Sequence, residues 1–570
     1  MTPYNLKSAR ARLHHIFFLL IYTFLEATMK KEFQVIGPPG TGKTTFLTKQ
    51  VARSCEEYGS EAVLITSLTR SAAAEIAGRD LPIPKENVGT LHSFCFRALG
   101  SPKIAELNIK KWNEDNPDKS LSMPEGKDVS DGLLDEASHN TVADALLQEV
   151  NLLRAYMVDQ SAWPDKCQQF SKRWEAWKQE NEFMDFTDLI ANGIKALSVP
   201  DKKVIIADEV QDYSKLEMTL IRKIGERDTV EKFILAGDSD QLLYEWRGAD
   251  PELFKQEWVT PENRRVLKKS WRVPEAIHRV AKRWIEKIKD REPIEYEPKD
   301  AQGEVERASG INCMNKYQYR LLEQIRENEK QGKRSMILTS CGYMLQPIIS
   351  ALRKEGILYH NPYRKNRGDW NPLTRKGISA VDRILAWTLA DWDIWGKEAR
   401  MWTVKDLQIA FEHMESKKLF LDGRKKEFLS LRDSDAEATI SQYHFCKFFN
   451  MDKLNKLFDM NDTDEFLDTL MASKRKSYEY PMTIVKKQGF KRLKELPTVI
   501  VGTIHSVKGG EADIVYLFPD LSQKAAESFL SAKGKNAIYR TFYVGMTRAK
   551  EKLVLCNSSG PNAVEWSGIW

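Results

Sequence analysis

The apolar stretch Phe33-Gln34-Val35-Ile36 runs directly into Gly37-Pro38-Pro39-Gly40-Thr41-Gly42-Lys43-Thr44, with Thr45 next. A G-x-x-x-x-G-K-[ST] segment between a strand and a helix is the setting a phosphate-binding loop needs. Gly37, Gly40 and Gly42 let the backbone curl until its N–H groups point at phosphate oxygens. Lys43 is placed to reach the β- and γ-phosphates of a nucleoside triphosphate, and the Thr44 hydroxyl to bind Mg²⁺. The helix that follows, expected through about Gly59, adds its positive dipole end. Leu47, Val51 and Cys55 recur along it and predict one buried face.

At 570 residues the chain exceeds what one core holds, so several domains are expected. A net charge of +6 is compatible with a polyanionic partner but does not require one. The seven cysteines are scattered, which fits free thiols in a reducing compartment and gives no metal-ligand spacing. Lys7, Arg10 and Arg12 precede the apolar Ile16–Tyr22, which imitates a signal peptide but is short for a bilayer span. The expectation is an amphipathic leader or an early-annotated start, with Met29 the working one and no membrane attachment.

Strand-like runs ending in polar residues, each followed by a helical pattern, recur at 62–66, 204–207, 233–236, 336–338, 499–501, 514–518 and 553–556. This alternation predicts an α/β protein with parallel sheets and ligands at their carboxyl ends. Residues 101–185 and 360–495 lack the rhythm and read as helical insertions, their tryptophans mainly packing groups.

The run Val204–Ala207 ends in Asp208-Glu209. Asp208 can hold Mg²⁺ through water, and Glu209 can orient or deprotonate an attacking water. A third strand, Phe233–Ala236, leads into Gly237-Asp238-Ser239-Asp240-Gln241, where Gln241 is placed to sense a γ-phosphate.

Gly237–Ala249 (GDSDQLLYEWRGA) resembles the third motif of UvrD/Rep/PcrA-like superfamily 1 DNA helicases. Other segments resemble further motifs of that family in its order: 66–75, 89–94, 185–189, 270–273, 503–511 and 543–550. The resemblance implies two RecA-like P-loop cores, parallel sheets flanked by helices, each interrupted by a helical insertion. On it, core 1A spans 29–100 and 186–260 around insertion 1B (101–185). Core 2A spans 261–359 and 496–570 around insertion 2B (360–495). Arg272 and Arg548 would be arginine fingers, Trp271 would stack on adenine and Glu511 would contact ribose. Thr69, Thr90, His92, Tyr244, Trp246 and His505 would touch single-stranded DNA.

The implied function is an ATP- and Mg²⁺-dependent DNA helicase moving 3′ to 5′ on single strands and acting at single/double-strand junctions. It would be a monomer or weak dimer, cytoplasmic and nucleoid-associated (nuclear in a eukaryote), alongside repair, replication or defence proteins. Three alternatives stay open: a translocase or ATPase subunit without unwinding, an ATP-driven switch or scaffold, and a small-molecule P-loop kinase, against which the chain length and the paired arginines argue. The family's Leu-Asn-x-x-Gln segment upstream of the loop has no counterpart, and Gln34 lies too near the loop to replace it.

Overall fold

The computed structural model describes residues 32–68, 83–122, 141–196, 202–254, 259–363, 371–374, 377–388, 402–431, 442–458 and 463–570. The leader, Thr69, and Trp370, Trp392 and Trp395 lie outside these residues. Contacts divide the chain into two compact units. The first runs to Val305 and adds Lys524–Lys552 and Trp566–Trp570; the second holds Glu306–Gln523 and Leu553–Glu565.

The strands of the first unit are β1 (Glu32–Ile36), β2 (Val63–Ser67), β3 (Val88–Gly89), β4 (Lys103–Ile104), β5 (Phe183–Met184), β6 (Val204–Asp208), β7 (Lys232–Gly237), β8 (Arg264–Val266), β9 (Lys269–Pro274) and β10 (Glu297–Lys299). Six of them form a parallel sheet in the order β3-β2-β6-β7-β1-β8. Strands β2, β6 and β7 are almost wholly buried, as strands covered on both faces must be. Because β7 lies between β6 and β1, the turn after Gly237 stands beside the phosphate loop on one side and Asp208-Glu209 on the other.

The helix Lys43–Tyr58 closes at Gly59, as its sequence predicts. Its buried face is Leu47, Val51 and Ser54, while Cys55 is only half-buried. A helix turns 3.6 residues per revolution, so the inner line moves to the i+7 position and leaves i+8 at its edge.

Helices Val142–Ala155 and Asp165–Glu180 form a separate core around Trp112, Trp163, Trp174 and Trp177. Trp112 meets Trp174 edge-on at 5.0 Å, and Trp174 stacks on Trp177 at 5.2 Å, so these tryptophans pack as the sequence suggests. Asp185 and Asp188 fasten this core to the next helix. Asp185 Oδ1 caps it by accepting the Asp188 N–H at 2.7 Å. The carboxylates of Glu175, Asp185 and Asp188 cluster as metal ligands would, yet Lys178 Nζ stands 2.9, 2.6 and 2.5 Å from the three. Arg154 adds a second cation, 2.7 Å from Asp185. With two cations on three carboxylates, the cluster is a largely compensated ion-pair lock.

The second unit is built on another six-stranded sheet, with order β11-β16-β15-β12-β14-β13. Its strands are β11 (Glu304–Arg307), β12 (Ser335–Thr339), β13 (Tyr359–His360), β14 (Val499–Thr503), β15 (Ala512–Leu517) and β16 (Ala549–Leu555). The pairings of β12 with β14 and β15, and of β13 with β14, are parallel. Helices between 380 and 488 extend the same apolar core through Trp387, Phe411, Phe428 and Phe449. Two parallel sheets flanked by helices make this the α/β architecture expected for RecA-like cores. Among the described residues no helix is long and apolar enough to cross a membrane.

Candidate active site

The loop after β1 takes its shape from two left-handed residues, Gly40 (φ 73°) and Gly42 (φ 81°). A side chain at Gly40 is excluded twice: by its φ, and because a Cβ there would stand 2.4 Å from Arg272 Cβ. Thr41 closes the turn, its N–H and hydroxyl donating to the Pro38 carbonyl at 3.2 and 2.8 Å. The Gly37 N–H donates to Gly237 O at 3.0 Å, tying the loop to the end of β7.

Strand β9 braces the other side of the loop. Ser270 Oγ donates to Pro39 O at 2.9 Å and the Trp271 N–H to Gly40 O at 2.8 Å. The Tyr296 hydroxyl reaches the same Pro39 oxygen at 2.8 Å. Trp271 itself is 76% exposed, beside Gly42 at the start of the helix. An open indole in that place offers a stacking face to a planar base.

Lys43 is buried, with its ammonium 3.0 Å from Asp208 Oδ1 and in contact with Glu209 Oε1. Burial alone would lower its pKa, but the two carboxylates outweigh that and hold it above the ordinary value. Burial raises the Asp208 carboxyl against the pull of Lys43. Glu209 is a non-glycine residue in the left-handed region (φ 56°, ψ 34°). Backbone strain of this kind persists where surrounding contacts fix it, and it is common at functional sites. Here the contacts are the Glu209 N–H on Asp208 Oδ1 at 2.9 Å and the Gln211 amide on Glu209 Oε2 at 2.7 Å.

Gln241 lies under the loop. Its amide nitrogen donates to Gly37 O at 3.3 Å and to Asp238 Oδ2 at 2.8 Å, and its Oε1 accepts from Arg548 at 3.1 Å. Arg548 is almost fully buried, and its Nε donates to Val544 O at 3.0 Å. Burial and the neighbouring Asp240 push the Asp238 carboxyl up to about 7. Arg291 pairs with Asp240 at 2.7 Å.

Lys43, Asp208, Glu209, Gln241 and Arg548 are thus joined by contacts within one unit, with Arg272 and Trp271 against the loop. The Thr44 and Asp208 side chains offer oxygen donors, the donor type Mg²⁺ requires. Glu511 and His505 belong to the second unit: the Glu511 N–H donates to the Tyr363 hydroxyl at 3.4 Å, and His505 opens the turn His505–Val507.

Two residues read as DNA contacts already have work in the fold. Thr90 caps the helix Leu91–Ala98 in a reciprocal box with Ser93. His92 is buried 3.7 Å from Glu217, and burial, with Arg247 nearby, lowers its pKa to about 4. Tyr244 is buried and Trp246 half-buried, their rings 6.2 Å apart, and the indole N–H of Trp246 lacks a partner.

The neutral His92 makes a stability prediction. The unfolded chain takes up a proton near pH 6.5 while the folded one resists until about 4. Stability therefore falls as pH drops through that window, by at most about 3 kcal/mol from this residue. Denaturant unfolding of His92→Gln should show a flatter pH dependence between 6.5 and 4 than the parent; parallel curves would refute the assignment.

Sequence reading missed Arg291, Tyr296, Ser270 and Gln211. Ser270 sits inside a recognised segment and Gln211 two residues beyond the Asp208-Glu209 pair, so both were within reach of it. Arg291 and Tyr296 come from a charged stretch with no pattern, and only the fold brings them to the loop.

Comparison with known proteins adds to this geometry. Residues 24–258 match the UvrD/REP helicase N-terminal domain and residues 410–560 the UvrD-like helicase C-terminal domain. A probable DNA helicase II homolog of Mycoplasma pneumoniae is 23% identical, over 90% of this chain and 80% of that protein. The Mycoplasma genitalium counterpart is 22% identical, over 90% and 81%. The ATP-dependent DNA helicase PcrA of Bacillus subtilis is 25% identical, over 56% and 47%. With both domains matched in order and a phosphate loop built as described, the chain belongs to the UvrD/Rep/PcrA-like family of DNA helicases.

Proposed function

We propose that this helicase uses MgATP to move along single-stranded DNA in the 3′-to-5′ direction and to part a duplex ahead of it. The observation that carries the reading is the convergence of Lys43, Asp208, Glu209, Gln241 and Arg548 on one loop. In this reading Lys43 leaves its carboxylate partners for the β- and γ-phosphates, and Asp208 and Thr44 would hold Mg²⁺, whose charge would offset that developing on the phosphates. Glu209 orients the attacking water, while Arg548 and Arg272 face the transferring phosphoryl group. Trp271 stacks on adenine. Trp246, with the buried Tyr244 ring 6.2 Å away as its support, offers the sequence-tolerant stacking that a moving strand needs. Direction and the roles of Thr69, His505 and Glu511 rest on family likeness. So does the four-part division, with insertions at 101–185 and 360–495. An ATP- and DNA-dependent motor acts where both are found, in the cytoplasm or nucleus.

The test is ATP turnover with and without single-stranded DNA, followed by unwinding of 3′- and 5′-tailed duplexes. Strong stimulation by DNA and unwinding of the 3′-tailed substrate are expected. Turnover indifferent to DNA would favour a nucleotide switch, and stimulation without unwinding a translocase. Trp246→Ala should remove most of the DNA stimulation; an unchanged response would make Trp246 a packing residue.

A further inference from the structure

The turn Glu245–Arg247, which carries Trp246, makes an ion pair with a distant part of the first unit. Glu245 Oε1 accepts from Arg540 NH1 at 2.7 Å, the two side chains being 10% and 6% exposed. Arg540 lies in the helix Ala532–Met546. Arg548 follows that helix by two residues and is bonded back to Val544 within it. One helix therefore grips the segment 239–247 at both ends: Arg548 on Gln241 next to the phosphate loop, and Arg540 on Glu245 next to Trp246.

We propose that the Glu245–Arg540 pair is a positioning contact that transmits occupancy of Trp246 by DNA to the placement of Arg548. The inference rests on the DNA-stimulated ATPase reading given above. A base entering against Trp246 displaces the turn, the pair draws the helix with it, and the helix end carries the Arg548 guanidinium.

The pair is poorly suited to a purely stabilising role. Arg540 Nε is buried without a hydrogen-bond partner, and burial raises the Glu245 carboxyl, so part of each charge is uncompensated. Apolar groups of similar volume often replace such pairs at no cost in stability. The turn is also seated from behind. A Cβ on Gly248 would stand 2.8 Å from Ala155 Cβ, and Lys533 of the same helix donates to the Tyr156 hydroxyl at 3.3 Å. A turn confined in this way transmits displacement through the contacts it retains.

The experiment measures basal turnover, DNA-stimulated turnover and thermal midpoint for Glu245→Gln, Arg540→Met and the double variant. Each single variant should keep basal turnover within about twofold and lose about tenfold of the DNA stimulation, within the usual range of coupling between sites. The double variant should be no worse than either single one, because one contact is lost in all three. Arg540→Lys should restore part of the response. Unchanged stimulation, additive losses, or basal and stimulated rates falling together would each overturn the proposal. Should one single variant fail to fold, the other carries the same comparison. A parent protein that DNA does not stimulate would instead refute the motor reading itself.

Discussion

Glu209→Gln is expected to lower ATP turnover by at least about 100-fold, the loss typical of removing a general base or water-orienting group. The substitution keeps the shape of the side chain and leaves an amide oxygen for Gln211, which now donates to Glu209 Oε2 at 2.7 Å. What disappears is the negative charge. Lys43 then has only Asp208 as a carboxylate partner. A phosphate group competing for the ammonium meets less resistance, so nucleotide affinity should hold or rise while hydrolysis fails. Lys43→Ala should differ, losing binding and turnover together, because it removes the cation and leaves two buried or half-buried carboxylates facing each other. Equilibrium binding of a nonhydrolysable ATP analogue, set beside steady-state turnover, separates the two variants. Near-parental turnover in Glu209→Gln would remove Glu209 from the chemistry.

The contrast between residues found in the sequence and those found only in the fold has a physical basis. Lys43, Asp208 and Gln241 were legible because each follows a strand whose apolar run announces its carboxyl end. The sheet order then brings those ends together. The parallel α/β class was legible for the same reason. Arg291 was not, because nothing local distinguishes it from the charges around it; its partner Asp240 is 51 residues away. Thr90 and His92 show the reverse case. Their motif is recognisable, but the chain also uses them as a helix cap and a buried neutral imidazole, roles that depend on three-dimensional burial. The Ser54-for-Cys55 exchange on the first helix is a matter of helical phase, which a three-residue pattern does not define.

Arg548→Ala should leave nucleotide binding within a few-fold of the parent and reduce turnover by about 10³, as removal of an arginine finger does. The guanidinium is held at both ends, by Val544 O through Nε and by Gln241 Oε1 through its terminal nitrogen. A planar, always-charged group in that position suits charge that spreads over a phosphoryl group in the transition state more than it suits the ground state. Binding should therefore be spared and turnover lost. Arg548 is also one of the largest fully buried side chains, so alanine leaves a void and strips Gln241 Oε1 of a donor. Loss of that charge-assisted hydrogen bond costs about 1–3 kcal/mol of stability. Arg548→Lys separates the two effects. It retains charge and most of the volume but not the two-ended grip, and so should recover stability more fully than rate. If lysine restored turnover to the parental level, point charge would suffice and the planar-group argument would fail. If alanine abolished binding instead, Arg548 would be a ground-state contact, and its link to Gln241 would serve to seat the nucleotide.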